Sequence, residues 1–200
     1  MLYPRVNEKG KLVFEDQMVG AREHLAKDHR ILTLSGAISN EMESIMLMMA
    51  LDSISHEPIK FIITSPGGDL DAAFLFYDTM RLLQSPIETY GRYCASAAVI
   101  PLAAGSKRYL SPHAKVMLHL PSTYFRDVSL EHKDLEICQR EAQKYKQKTI
   151  DILIECGASK SHDEILADID HDFWMEPEEA IAYGLADEIM TSDVFERWVK

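Results

Sequence analysis

The chain has 200 residues, of which 46% are hydrophobic and 26% charged, so it can bury a core of its own within one domain. Its formal net charge of −11 repels nucleic-acid phosphates and anionic lipids, so we expect it to bind neither nucleic acid nor a membrane surface. No apolar run approaches the ~18 residues of a membrane span. Cys94, Cys138 and Cys156 have no CxxC or metal-ligand spacing, which argues against a metal site or a disulfide framework and favours a reducing cytoplasm.

Predicted strands and helices alternate along most of the chain. Residues 1–29 are polar and weakly patterned, and we expect this segment to order only partly on its own and to lie at a surface. The apolar, β-branched runs predicted as strands are 30–38, 59–64, 87–92 and 114–120. The helices are predicted over 40–54, about 70–84, 95–105 and 176–184, the first opened by the capping-box pair Asn40 and Glu43. This alternation predicts an α/β domain with several buried strands.

A long helix is predicted over about residues 129–156 by a narrow apolar seam. Its members recur at alternating spacings of three and four: Leu135, Cys138, Ala142, Tyr145, Thr149, Ile152 and Cys156. Nearly everything between them is charged or amidic, so the seam covers too little area to hold the whole helix against a core. We therefore expect the helix to protrude and contact a partner; an ordinary surface helix is the alternative.

The stretch GRYCASAAVIPLAAGSKR (91–108) contains two candidate nucleophiles, Cys94 and Ser96. Ser96 starts a predicted small-residue helix, where unpaired N–H groups and the positive end of the helix dipole favour a developing anion. Cys94 has no charged activator nearby, so we interpret it as a packing residue. The alternative for the whole stretch is close helix packing by its alanines. Because Cys94 and Ala98 replace both glycines of the GxSxG elbow, an α/β-hydrolase has no support.

A catalytic serine needs a base, and the base needs a group that orients it. Of the eight histidines, His119 ends the apolar strand VMLH, which delivers its imidazole to the edge of the core. A structural histidine with a polar partner is the alternative. The segment ADIDHDFWM offers three acids, Asp168, Asp170 and Asp172. Asp172 leads directly into apolar residues and suits an orienting role, although a capping or turn role fits the pattern equally well.

The turn SPGGD (65–69) follows one predicted strand and precedes a predicted helix. Its two glycines permit positive φ and expose backbone N–H groups to a ligand, so the turn could contribute to an oxyanion hole. Gly-Gly is also common in ordinary strand-to-helix turns, and the motif alone is weak evidence.

Together these motifs resemble the family of the proteolytic subunit of the Clp protease (ClpP), a serine peptidase. The resemblance covers about residues 28–190. Its most specific pieces occur in the family's order: ITSPGG with FYDTM, LAAGSKRYLSP, VMLHLP and DFWMEPEEAIAYGLADEI. MLYPRV also resembles the mature N-terminus of the family, so we expect no long propeptide before it.

The resemblance implies a role for each candidate site residue. Ser96 would be the nucleophile, His119 the general base and Asp172 the orienting acid. The backbone N–H groups of Gly68 and Ala97 would form the oxyanion hole. Ala97 stands where the family usually has methionine, but this substitution keeps the N–H group.

The resemblance also implies the architecture and the partners. The fold would be a crotonase-like stack of ββα units, with a head domain over 30–128 and 157–190. Residues 129–156 would be a protruding handle helix that joins two stacked heptameric rings, and 1–29 an axial segment. A separate AAA+ unfoldase of the ClpX, ClpA or ClpC type would use ATP to feed polypeptides into the rings, so this subunit would need no cofactor and no metal.

Some positions depart from the family's pattern. Asp69, Leu70 and Asp71 stand where the family binds peptide, and the two carboxylates replace neutral residues. We expect them to favour basic or polar side chains near the scissile bond, which a peptide panel with an undiminished apolar preference would contradict. Pro101 removes one backbone hydrogen bond from the predicted helix and should kink it.

Three functions are compatible with these residues. The first is a serine endopeptidase that cleaves unfolded polypeptides to short peptides through an acyl-enzyme. The second is a non-catalytic ring subunit, which should have lost members of the triad. The third is another crotonase-superfamily enzyme, such as an acyl-CoA hydratase, which needs no Ser-His-Asp set. The presence of Ser96, His119 and Asp172 favours the first.

Overall fold

The computed structural model describes residues 2–6, 12–39, 42–120 and 132–199. The strands are β1 (Leu2–Val6), β2 (Leu12–Asp16), β3 (Ile31–Ser35), β4 (Ile59–Ser65), β5 (Ile87–Ala95), β6 (Lys107–Leu118), β7 (Phe173–Met175) and β8 (Glu188–Ile189). The helices are α1 (Gln17–His29), α2 (Met42–Ile54), α3 (Leu70–Leu82), α4 (Val99–Ala103), α5 (His132–Glu155), α6 (His162–Asp168), α7 (Pro177–Tyr183) and α8 (Ser192–Trp198). Within the described ranges, no helix has the length and apolarity needed to cross a membrane.

One six-stranded sheet organises the fold. Its order is β3-β4-β5-β6-β7, with β8 beside the first part of β6. The strands from β3 to β6 are parallel, whereas β7 runs antiparallel to β6. Ile59, Phe61 and Ile63 alternate along β4 onto one fully buried face, and the Phe61 ring packs on Phe76 of α3. The α/β fold predicted from the sequence is therefore confirmed.

Two neighbouring strands of the sheet, β5 and β6, are longer than the sequence predicts. β5 continues to Ala95, and β6 begins at Lys107 instead of 114. The register between these strands shifts between Gly91 and Tyr93, and the irregularity accommodates Pro112, which cannot donate to a strand ladder. The polar residues and the proline hide this part of β6 from a search for apolar runs.

The described parts of the N-terminal segment, residues 2–6 and 12–29, contain strands and a helix that the weak sequence pattern does not predict. β1 and β2 form an antiparallel pair, and α1 follows directly. Among residues 21–29 of α1, only Ala26 is buried. Over residues 21–29 the helix therefore shows no buried apolar stripe that a sequence search could find. The predicted cap of the next helix, Asn40, lies outside the described residues.

The long helix predicted from the seam is present as α5. Its C-terminal half packs on the core through Ile150, Ile152 and Leu153, all buried. Near its start, Leu135 and Ile137 are both about half exposed. The helix thus packs on the core at its C-terminal end and carries exposed apolar side chains near its start. Its contact with a partner stays a prediction.

Arg108 ties the start of β6 to the C-terminal part of the chain. Its guanidinium donates to both carboxylate oxygens of Asp187 and to the backbone oxygens of Cys156 and Gly184, at 2.8 and 2.7 Å. The arginine side chain is 12% exposed. A planar guanidinium can reach these acceptors at once, and a lysine ammonium cannot.

We expect Arg108→Lys to lower the free energy of unfolding by about 1–3 kcal/mol, because the partly buried oxygens of Cys156 and Gly184 lose charge-assisted partners. Chemical denaturation measures this change. Lys107→Ala is the matched control, since Lys107 and Glu188 are both about half exposed and lie 3.6 Å apart. Removing that surface pair should cost less than about 1 kcal/mol. Equal losses in the two variants would contradict the role of Arg108.

Candidate active site

Ser96 lies at the point where β5 ends. The strand runs to Ala95, and a 3-10 turn over Ser96–Ala98 leads into α4. Ser96 has a φ of +57°, in the left-handed region that residues with a side chain seldom adopt. This conformation turns the chain sharply from strand to helix at the serine, although both glycines of the GxSxG motif are missing.

The structure describes two other residues of the stretch around Ser96, Cys94 and Pro101. Cys94 is completely buried, and burial raises the pKa of its thiol, so it is a packing residue as predicted. Pro101 lies in the first turn of the short helix α4, where proline is tolerated. The chain changes from 3-10 to α geometry just before this proline.

His119 directly follows β6, and its Nε2 lies 2.6 Å from Ser96 Oγ. The register of the sheet explains this approach. Ala95 of β5 pairs with Met117 of the parallel strand β6, so the residues that follow the two strands meet at one edge. The distance allows the serine hydroxyl to donate a hydrogen bond to the imidazole.

Asp172 reaches the histidine through the antiparallel strand β7. Leu118 pairs with Phe173, which places the residue before β7 beside the residue after β6. Asp172 Oδ1 lies 3.7 Å from His119 Nδ1, and the aspartate side chain is 62% exposed. The separation is too long for a hydrogen bond, but catalytic contacts are often long in unliganded sites and shorten on binding.

The other two acidic candidates lie elsewhere. Asp168 accepts hydrogen bonds from Lys160 at 2.6 Å and from the Tyr183 hydroxyl at 3.0 Å. Asp170 pairs with His171 at 3.1 Å on an exposed surface. Of the three aspartates that the sequence offered, the structure brings Asp172 to His119.

The SPGG turn packs directly against Ser96. A Cβ atom on Gly67 would lie 2.7 Å from Ser96 Cβ and 2.6 Å from the backbone oxygen of Ala95, closer than real side chains approach. Gly67 also has a φ of +93°, and its N–H donates to the buried Ser65 hydroxyl at 3.1 Å. Only glycine therefore fits between this turn and the nucleophile.

Gly68 forms an isolated parallel bridge with Ile38. Ile38 donates to the Gly67 oxygen at 2.8 Å, and Asp69 donates to the Ile38 oxygen at 2.9 Å. In a parallel bridge these flanking groups make the bonds, so the Gly68 N–H points away from Ile38. This orientation leaves the group available to a ligand. The pairing of Gly68 with Ala97 as an oxyanion hole stays a prediction.

A small cavity adjoins the serine and the histidine. Its lining residues come from α3, the 3-10 turn, α4, β6 and α5: Leu70, Ser96, Ala97, Ile100, Leu118, His119 and Thr149. Most of these side chains are apolar. The cavity therefore offers a place for one side chain of a bound peptide, next to the candidate nucleophile.

The two predicted substrate-binding carboxylates already have partners within the protein. Asp69 caps α3 by accepting the Ala72 N–H at 2.8 Å. Asp71 accepts the hydroxyl of Tyr145 at 2.8 Å, and this bond joins α3 to α5. Leu70, between them, is the residue that lines the cavity. Their effect on the substrate stays a prediction.

Comparisons with known proteins agree with these motifs. The sequence model of the Clp protease family matches residues 15–193. ATP-dependent Clp protease proteolytic subunit 1 of Rhodopirellula baltica is 35% identical over 173 residues, 83% of this chain and 74% of that protein. Proteolytic subunit 2 of Chlamydia trachomatis is 35% identical over 192 residues, 90% of this chain and 92% of that protein. A solved mutant of ClpP1 from Listeria monocytogenes superposes with a TM-score of 0.74 at 27% identity, covering 84% of this chain and 95% of that one.

Proposed function

Since this chain belongs to the Clp protease family, we propose that it is a serine endopeptidase subunit that cleaves unfolded polypeptides through an acyl-enzyme intermediate. The observation that carries the proposal is the 2.6 Å contact between Ser96 Oγ and His119 Nε2 at the edge of the sheet. A serine hydroxyl becomes a useful nucleophile when a base lies within hydrogen-bond reach.

The proposed reaction uses these residues in two steps. Ser96 Oγ attacks the scissile carbonyl carbon while its proton passes to His119 Nε2, and the imidazolium then protonates the leaving amine. In the second step His119 takes a proton from the water molecule that attacks the acyl-serine ester. As the ester bond to Ser96 Oγ breaks, the imidazolium returns this proton to the serine oxygen, and the product leaves as a carboxylic acid that ionises in water. Asp172 orients the imidazole and stabilises its charged form. The N–H groups of Gly68 and Ala97 would each contribute about 3 kcal/mol by hydrogen bonding the oxyanion.

The assembly is part of the same proposal. The named relatives are proteolytic subunits of an ATP-dependent protease, so we assign ATP use to a separate AAA+ unfoldase and none to this chain. This chain would form heptameric rings, two of them stacked through α5. The exposed Leu135 and Ile137 near the start of α5 support a contact with another copy at that end.

One observation favours a second candidate, a non-catalytic ring subunit. Asp172 is 62% exposed and makes no hydrogen bond to His119 at 3.7 Å, so the orienting acid is loosely held. A subunit that serves only to build rings would tolerate such an arrangement. Activity measurements are needed to separate the two candidate functions, because this chain contains the serine and the histidine whichever function it has.

A fluorophosphonate probe combined with native mass measurement tests the proposal. We expect stoichiometric labelling of the wild-type protein in a particle of about fourteen subunits. The Ser96→Ala variant should form the same particle and take no label. A ring without labelling would point to the non-catalytic candidate. A labelled monomer would refute the assembly and leave the chemistry standing.

A further inference from the structure

The backbone on either side of His119 is bound to one short segment of the chain. On one side, Leu118 pairs with Phe173 across the antiparallel strands β6 and β7. On the other side, the Leu120 N–H donates to the backbone oxygen of Ile169 at 2.9 Å. The segment that runs from Ile169 to Phe173 also carries the candidate orienting acid. The separation of the imidazole and the carboxylate therefore depends on how this segment is fixed.

Three polar side chains fix the start of the segment. Asp168, which directly precedes Ile169, accepts hydrogen bonds from Lys160 Nζ at 2.6 Å and from the Tyr183 hydroxyl at 3.0 Å. Tyr183 is buried, and the Asp168 side chain is 20% exposed. Burial and the bond to Asp168 raise the pKa of the Tyr183 hydroxyl, so it stays protonated and remains a donor. We call Lys160, Asp168 and Tyr183 the Asp168 cluster.

The Asp168 cluster also contacts the far end of the segment. The rings of Phe173 and Tyr183 lie 5.8 Å apart, centroid to centroid. Lys160 Nζ lies 5.5 Å from the Phe173 centroid and 4.9 Å from the Tyr183 centroid, within the range of cation–π contacts. The cluster thus holds both ends of the segment, and the three residues 170–172 span the gap. The exposed carboxylate of Asp172 is confined to this span.

We propose that the Asp168 cluster positions the orienting acid: it holds the segment that carries Asp172 at the distance from which the carboxylate can orient the His119 imidazole. The inference rests on the endopeptidase function proposed above, because that function gives Asp172 its role. Asp172 Oδ1 and His119 Nδ1 lie 3.7 Å apart, so a shift of less than an ångström decides whether they share a hydrogen bond. The cluster should therefore act on kcat through Asp172.

Two conservative variants test this role with a quenched peptide. Tyr183→Phe removes one hydrogen bond and keeps the ring, and Lys160→Met removes the ammonium and keeps most of the stem. Each should lower kcat about 10-fold and change KM less than about threefold, because a misplaced group costs rate and not binding. In the Asp172→Ala protein the same changes should lower kcat less than about twofold, since the residue through which the cluster acts is then missing.

Tyr77→Phe is the matched control. The Tyr77 hydroxyl donates to Glu155 Oε2 at 2.5 Å, so this variant also removes a tyrosine–carboxylate bond, here between α3 and α5. It should keep kcat within about twofold of wild type. Denaturation of every variant establishes that it is folded at the assay temperature. Where peptide turnover is too slow to measure, the rate of fluorophosphonate labelling of Ser96 gives the same comparison.

An equal fall in rate with and without Asp172 would overturn the inference and show that the cluster only stabilises the fold. An unchanged rate in both single variants would overturn it as well. The proposed function fails in a different way. If the wild-type protein cleaves no peptide and takes no fluorophosphonate label at Ser96, the endopeptidase is refuted and the positioning role with it. Cleavage that depends on Ser96, with losses that ignore Asp172, would refute only the positioning role.

Discussion

Replacing Ser96 by alanine should abolish peptide cleavage, with kcat falling by roughly 10,000-fold or more. The reason is that Cys94, the other nucleophile candidate in this stretch of the chain, cannot take its place, since it is fully buried and burial raises the pKa of its thiol. His119→Ala should cost about as much, because the hydroxyl then loses the base 2.6 Å away. Steady-state kinetics with a quenched peptide measures both effects.

The losses should combine non-additively, because serine and histidine act as one unit. The double variant of Ser96 and His119 should be no slower than Ser96→Ala alone. Asp172→Asn should cost less than either, since the carboxylate lies 3.7 Å from the imidazole and is well exposed. Cys94→Ala is the control and should retain fluorophosphonate labelling. Labelling that survives in Ser96→Ala, or disappears in Cys94→Ala, would refute this site.

The edge of the sheet where Ser96 and His119 meet could be predicted from the sequence for a physical reason. β4, β5 and the end of β6 are buried in the sheet and read as short apolar runs. Carboxyl ends of parallel strands lie together, so polar residues that follow such runs are brought close. The sequence gives weaker grounds for choosing Asp172 among the three aspartates. The strand that positions it, β7, has three residues, which is too short to show a recognisable alternation of apolar and polar residues.

Features that depend on packing between distant segments were not predictable in this way. The spacing of apolar residues places Thr149 in the seam of a long helix, and nothing local in that pattern shows that it lines the cavity at Ser96. The contact of Gly67 with the nucleophile likewise depends on how the turn after β4 sits against the end of β5. Gly-Gly was the available signal, but it did not show which glycine makes the close approach.

This contact predicts a second large loss of activity, in Gly67→Ala. The added methyl group would meet Ser96 Cβ at 2.7 Å, the Ala95 oxygen at 2.6 Å and the Ala97 nitrogen at 3.0 Å. Two of these three atoms belong to the backbone, which cannot rotate away, so the serine and the Ala97 N–H must move together. Misplacing a nucleophile by a fraction of an ångström commonly costs about 100-fold in kcat.

Gly36→Ala separates this clash from backbone strain. Gly36 has a φ of +89°, close to the +93° of Gly67, but a Cβ at Gly36 would meet no atom within 4 Å. Both variants should therefore lose about 1–2 kcal/mol of unfolding free energy from the left-handed conformation. Gly67→Ala should lose more than this and about 100-fold or more in kcat, whereas Gly36→Ala should keep kcat within about threefold.

Denaturation and peptide kinetics on the same preparations measure the two quantities. If both variants keep wild-type kcat, the turn does not position Ser96, and the oxyanion hole assigned to Gly68 and Ala97 loses its structural basis. If Gly67→Ala alone loses activity while it remains folded at the assay temperature, the close approach of the turn is what holds the nucleophile. The strained φ of Ser96 is then maintained by its neighbours and not by its own residue type.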